Sequence, residues 1–433
     1  MKMQTIIEYI LTVVLVLVLG GLAGWYFFLR SQTNTLKAEG AAKGFGAAIP
    51  LGDPYGSTPD KPDPFPSADR TLRDAQDGTR NGKSPAQLWQ VDAKPVAGQI
   101  FAGSGNDVRL RYVERATGYV LEADPRTGQI MRLTNTLMPK IYEAFLTETG
   151  HVFERSLDTA GNITTFAGTI STTTDTTTGS SARTLTGSGL TKNIVSMSAH
   201  PVSGAIFYIL RGPGGAIGVS SEWNGQKQKN IFGSVIVSWR PTVLQDGRII
   251  LAQAAADGVP GYAYELKKDG VLSRLLGPVP GLTIRVRPAL AKSAPSAVLW
   301  GQSTPGALKL FVQTAENATA VQLPIRTVAD KCAWAPASAK ASSGTAGKEL
   351  IAYCGVPQGQ PAQNFLDEWY RGGTHSADTL WRVDAGAGTA ELVYTPPSNT
   401  PVDIENMVID DAGNFVAFTN AADKSLWLLR LAK

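Results

Sequence analysis

From about Leu88 onward, apolar and polar residues alternate in short runs broken by Gly, Asp or Asn, a period-two pattern that predicts strands joined by tight turns. The runs cycle with a spacing of roughly 40 to 50 residues. One strand of each cycle is easy to align: Gly118–Asp124, Gly261–Leu266, Leu308–Val312, Leu380–Asp384 and Leu426–Arg430. A turn and another apolar strand follow most of them, as in Gly128–Leu133 and Gly270–Leu276. A second set runs into proline: Ser196–Pro201, Ser238–Pro241, Arg285–Pro288 and Cys332–Pro336. Proline suits a strand end, where its missing donor costs no ladder bond.

Four short strands in a unit of this length make a propeller blade. Seven units fit the text, at residues 95–137, 141–190, 193–233, 235–277, 282–324, 327–397 and 402–431. The last holds only three strands, and the unassigned segment Gln87–Val91 supplies the fourth, pairing with the C-terminal strand to close the ring and remove exposed edges. The expected fold class is therefore all-β, a seven-bladed β-propeller. The domain resembles the seven-bladed propellers of the TolB and YVTN type, and Gly118–Leu133 is similar to the blades of quinoprotein-like scaffold propellers. The resemblance implies a rigid disc that presents loops and a central channel to a binding partner; it transfers no reaction.

Ahead of the repeats, Ile10–Leu29 is almost uninterruptedly apolar and closes on Trp25, Tyr26 and Arg30. About 20 such residues span a hydrocarbon core of about 30 Å, and the aromatic close suits a retained transmembrane anchor better than a cleaved signal peptide. Gly20 and Gly24 form a small-residue pair that allows self-association of anchors. Residues 31–84, with the run Pro59–Pro66, lack apolar periodicity and read as a disordered, Pro/Gly-rich linker. The expected organisation is thus anchor 1–30, linker 31–84 and propeller 85–433. The start also resembles an archaeal type IV pilin-like signal, because Gln4-Thr5-Ile6-Ile7-Glu8-Tyr9 leads into the apolar helix and Glu8 stands fifth if Gln4 is the first mature residue. Met3 occupies the place where that family has a small residue. That resemblance implies a filament subunit with a propeller head.

Composition narrows the chemistry. With 40 basic against 36 acidic residues the net charge is only +4, and the basic residues are scattered, which argues against nucleic acid as a partner. The three histidines, His151, His200 and His375, lack metal-ligand spacing. No nucleophile elbow, phosphate loop or sialidase-type box is present, and Gly212–Gly218 has the wrong spacing for a dinucleotide loop. Asp-Gly pairs such as Asp246-Gly247 are ordinary turn chemistry. No catalytic residue, metal or other cofactor is therefore assigned, and a hydrolase or lyase would need a channel site that the text does not announce.

Two features remain as binding candidates. His200, Arg240 and Arg287 occupy similar repeat positions and would set cations toward a channel mouth, suiting a carboxylate-bearing protein or glycan, unless they pair with blade acids such as Glu405. The sixth unit is interrupted by Gly355–Ala377, which carries Phe365, Trp369, Tyr370 and Arg371; such residues make recognition loops when exposed, or fold back onto the disc. Cys332 and Cys354 fall on paired strands of the same unit, within reach of a disulfide, which points to an oxidising, extracytoplasmic compartment. The expectation is a membrane-anchored binding or scaffolding module at the cell surface.

Overall fold

The computed structural model describes residues 86–431 except 175–180, 288–296, 315–318 and 337–349. The expected anchor at 10–29 and linker at 31–84 lie outside the described residues, among which no helix is long and apolar enough to cross a membrane. The described chain is a ring of seven four-stranded antiparallel sheets.

Blade one holds β2 (Val96–Ala102), β3 (Arg109–Glu114), β4 (Val120–Ala123) and β5 (Ile130–Arg132), after the separate strand β1 (Leu88–Asp92). Blade two holds β6 (Glu143–Leu146), β7 (His151–Leu157), β8 (Ile163–Thr174) and β9 (Ser181–Gly189). Blade three holds β10 (Ile194–Ala199), β11 (Ile206–Gly212), β12 (Gly215–Ser221) and β13 (Lys229–Ser234). Blade four holds β14 (Trp239–Val243), β15 (Ile249–Gln253), β16 (Pro260–Leu266) and β17 (Leu272–Pro280). Blade five holds β18 (Thr283–Arg287), β19 (Ala297–Thr304), β20 (Ala307–Gln313) and β21 (Val321–Gln322). Blade six holds β22 (Cys332–Trp334), β23 (Ile351–Pro357), β24 (Asp378–Asp384) and β25 (Thr389–Tyr394). Blade seven holds β26 (Ile404–Ile409), β27 (Phe415–Asn420) and β28 (Leu426–Arg430), and β1 completes it.

Closure is antiparallel, with Leu88 opposite Leu429, Trp89 opposite Leu428 and Gln90 opposite Trp427. The core is not one mass but a series of clusters shared by adjacent sheets. Leu299 and Leu310 of blade five meet Ala329, at the entrance of blade six, and Ala352, Cys354 and Val383 of that blade. Phe101, Leu110 and Tyr112 of blade one meet Phe415, Leu426 and Leu428 of blade seven, which seals the ring. Middle strands such as β4, β15 and β27 are buried along most of their length, whereas β20 exposes Ala307 and Lys309 on one face.

Pro241 departs from the expected position. It lies inside β14, opposite Leu251, and does not mark the end of that strand. The innermost strand of a blade has one unpaired edge, so a missing N–H is tolerated at the alternate positions whose N–H would point to that edge. At Gly118 the backbone sits at φ +70°, and a Cβ there would lie 2.5 Å from the carbonyl oxygen of Met138, so only glycine fits that turn.

Candidate functional site

The insertion between β23 and β24 folds as a helix, α1 (Phe365–Arg371). Asp367 and Glu368 in its first turn and Arg371 in its last complement the helix dipole, and Gly372 follows at φ +73°, ending the helix in a left-handed turn. Phe365, Leu366 and Trp369 make its buried stripe.

Polar bonds brace this insertion to other blades. The backbone N–H of Asp367 donates to Asp257 Oδ2 and the N–H of Asp257 donates to Asp367 Oδ1, both at 3.1 Å. Ser303 of β19 donates to the other oxygen of Asp257. The Trp369 indole N–H reaches both Asp403 oxygens at 3.0 Å. The insertion is thus tied to the β15–β16 connection of blade four, to blade five, and to the segment that enters blade seven.

Asp403 belongs to a buried ionic cluster. Lys331 ends the turn before β22, its side chain is 0 % exposed, and its Nζ donates to Asp378 Oδ2 at 2.7 Å, to Ser376 Oγ at 3.0 Å and to Asp403. The ammonium also sits 4.6 Å from the centre of the Trp369 ring. Ser376 Oγ donates to Asp403 Oδ1 at 3.1 Å, and His375 Nδ1 lies 3.1 Å from Asp403 Oδ2. Burial alone disfavours the charge on Lys331, but the two carboxylates outweigh it and its pKa is raised. Burial acts against Asp403 too, yet Lys331 and the Trp369 and His375 donors hold its pKa below the usual value, while burial prevails at Asp378 and raises its pKa. An amine so fully engaged is neither a nucleophile nor a base; the cluster is a tie between blades six and seven.

Asp330, next in sequence to Lys331, faces the opposite way. Arg240 Nη1 lies 3.2 Å from Asp330 Oδ2, and Arg285 Nη1 lies 3.9 Å from Asp330 Oδ1 while its Nη2 donates to the Asp330 carbonyl at 3.3 Å. Inner strands of blades four and five are thereby joined to the entrance of blade six.

The three cations singled out in the sequence do not converge. His200 follows β10, where its Nδ1 accepts the N–H groups of Val202 and Ser203 and its Nε2 lies 3.1 Å from the Gln245 carbonyl. Arg240 is bound to Asp330 rather than Glu405, which instead meets Lys424 at 2.8 Å. Arg287 ends β18 and is only 3 % exposed. Of the insertion residues, Phe365 and Trp369 fold back into the disc, so Trp369 anchors the insertion instead of offering its ring to a partner; Tyr370 is half-buried and Arg371 exposed. Cys332 and Cys354 are register partners on β22 and β23 and form a disulfide, with α-carbons 4.1 Å apart. Sequence reasoning missed Arg285, Asp330, Lys331, Asp378 and Asp403. Their signal is polar text at blade entrances, where Asp330-Lys331 and Asp403 interrupt apolar runs.

Beside the insertion lies a cavity of about 370 Å³ lined by Leu308, Lys309, Leu323, Arg326, Gln360 and Pro361, with Lys309 and Arg326 exposed. It is bounded by blade five on one side and by the start of the insertion on the other. Among the described residues no group of three or more His, Cys, Asp or Glu side chains is arranged to hold a metal ion.

No family model and no curated protein matches the chain. Solved structures do. They include an oligogalacturonate lyase from Vibrio parahaemolyticus, at 8 % identity over 80 % of this chain and 94 % of that one, TM-score 0.46. TolB from Acinetobacter baumannii matches at 12 % identity over 77 % and 66 %, TM-score 0.39. An auxiliary nutrient-binding protein from Bacteroides thetaiotaomicron matches at 8 % over 79 % and 70 %, TM-score 0.40. The likeness extends to the propeller architecture and no further.

Proposed function

We propose that the protein is a binding module held at the cell surface, in which residues 1–30 anchor the chain, residues 31–84 space it from the bilayer, and the propeller of residues 85–433 recognises a carboxylate-bearing protein or glycan. The observation that carries this reading is the insertion of blade six. The connection between β23 and β24 carries a helix, is braced by Asp257, Ser303 and Asp403, and has beside it a cavity flanked by Lys309 and Arg326. Rigid support under a loop lowers the entropy lost on binding, and exposed cations steer anionic partners. The almost uninterrupted apolar run from Ile10 to Leu29 supports the anchor, and the disulfide supports an oxidising compartment.

The test uses intact cells carrying the full chain and fluorescent hyaluronate and poly-glutamate as probes. Wild-type cells are expected to bind at least one probe, and the pair Lys309→Glu and Arg326→Glu to lower that binding about tenfold or more. Binding that appears only after lysis overturns the surface placement, and binding indifferent to the two reversals overturns the assignment of this face. A mature N-terminus at Gln4 would replace the simple anchor with the filament reading.

A further inference from the structure

A different acid lies where the ring has no use for it. Along β7, Val152, Glu154 and Ser156 alternate onto the face that meets blade one, where Val152 packs with Ile141, Leu185, Met138 and Phe166. Glu154 is 1 % exposed, and neither carboxyl oxygen has a hydrogen-bond partner. Among the described residues it is the one acid with both oxygens left so. A buried polar group without partners costs about 1–3 kcal/mol, more if charged, and such groups are few in native proteins, so each calls for a water, an ion or a ligand that completes it or a role that uses it.

Glu154 borders a cavity of about 310 Å³, whose walls include Leu137, Met138, Ile141 and Phe166 and whose further polar residues are Ser156, Thr164 and Thr165, the first two hydrogen-bonded to each other at 2.9 Å. A mostly apolar pocket with a few convergent polar groups is the usual form of a small-molecule site, and this volume is at the small end of the range. The charged residues on the surrounding elements do not neutralise Glu154. Lys140 of the β5–β6 connection is exposed, Glu143 and Arg155 bond to each other, Arg132 lies 4.8 Å over the Tyr119 ring, Arg183 of β9 is exposed, and β8 carries no charge.

We propose that this cavity between blades one and two binds a small organic cation, an ammonium or amidinium head on a short apolar body, with Glu154 as its counter-ion. Two empty carboxyl oxygens match a head with at least two N–H donors, and the walls match the body. The complete burial of the acid is consistent with this, since desolvation raises its pKa to about 8 and keeps it neutral until a cation arrives. A cation that binds the ionised form at about pH 7 must therefore expel close to one proton, and its affinity must climb about tenfold per pH unit until about pH 8.

The experiment is calorimetric titration of the full chain with benzamidine, its neutral analogue benzamide, and the anion benzoate, in buffers of different ionisation enthalpy. Benzamidine is expected to bind saturably, benzamide at least tenfold more weakly and benzoate not at all, with near-stoichiometric proton release for benzamidine at about pH 7. Glu154→Gln keeps the shape of the side chain and is expected to lose tenfold or more in benzamidine affinity together with the proton release. Equal affinity in that variant, equal binding of benzamide, or binding without proton release by the wild type each overturns the proposal. So does the absence of saturable binding of both benzamidine and phenethylammonium up to about 10 mM at pH 8. Should Glu154→Gln fail to fold, the buffer dependence of the wild type decides alone.

Discussion

Two of the places where the molecule buries ionisable side chains treat them oppositely. At the junction of blades six and seven, Lys331 is fully enclosed and its ammonium is surrounded by oxygens of Asp378, Asp403, Ser376 and the Ile404 backbone. At the junction of blades one and two, Glu154 is as deeply enclosed and meets nothing. Burial is the same; the partners differ. The first arrangement is self-contained, so its charges are spent on joining neighbouring sheets. The second leaves a carboxyl whose desolvation is uncompensated and a cavity against it. The contrast separates a charge that the fold uses from a charge that the fold leaves available, and burial by itself does not make that distinction.

Removing the central cation should break the comparison most forcibly. Lys331→Met leaves Asp378 and Asp403 enclosed with no counter-charge, and the expected loss is about 3–5 kcal/mol in urea unfolding. Removing the acids as well, in Lys331→Met with Asp378→Asn and Asp403→Asn, should recover more than half of it. A single substitution costing under about 1 kcal/mol would mean that water already screens the cluster, and the two junctions would no longer be opposites.

The pH dependence of stability sharpens the contrast by sign. Glu154 rises from its ordinary value of 4.5 to about 8 in the folded state, so the folded chain holds a proton there that the unfolded chain has released. Its contribution is fully present below about pH 4.5 and is lost, by about 1.4 kcal/mol per pH unit, as pH rises towards about 8. Asp403, held below its ordinary value, contributes in the opposite sense: its stabilisation is present above the normal carboxylate range and is lost as pH falls through the folded value. Unfolding midpoints measured across this range should lose the alkaline slope in Glu154→Gln and keep the acid one. An unchanged alkaline slope would show that Glu154 is solvated in the native state.

The ring itself was legible because blade grammar is local. Period-two runs, turn glycines and the leftover strand Gln87–Val91 led to seven sheets and to the closure that β1 makes. The pairing of Cys332 with Cys354 was legible for the same reason, since both lie on strands whose order was already fixed. Pairings that cross blades were not. Arg240 meets Asp330 across 90 residues, and Lys331 meets Asp403 across 72, and no periodicity relates those positions. His200, Arg240 and Arg287 sit differently on their strands: the first follows its strand, the second is near the start of one and the third ends one. Glu154 was half-legible. Its alternation with Val152 puts an acid in an apolar phase, and only the emptiness around it needed three dimensions.

The smallest effect tests how the insertion is held. Trp369→Phe keeps an aromatic face for Lys331 and most of the buried area, and removes only the N–H that spans the two Asp403 oxygens at 3.0 Å. A hydrogen bond to a charged acceptor contributes about 1.5–3 kcal/mol, so the variant should lose about 2 kcal/mol, less than Lys331→Met, since the cation remains to neutralise Asp403. The same change should make α1 more susceptible to limited proteolysis while the rest of the ring stays resistant, because the brace is local to the insertion. Glu154→Gln, at the far junction, should leave that susceptibility unchanged. If Trp369→Phe left both stability and proteolysis untouched, Lys331, Ser376 and His375 would be holding Asp403 without the indole, and the insertion would depend on the Asp257 and Asp367 pair for its position.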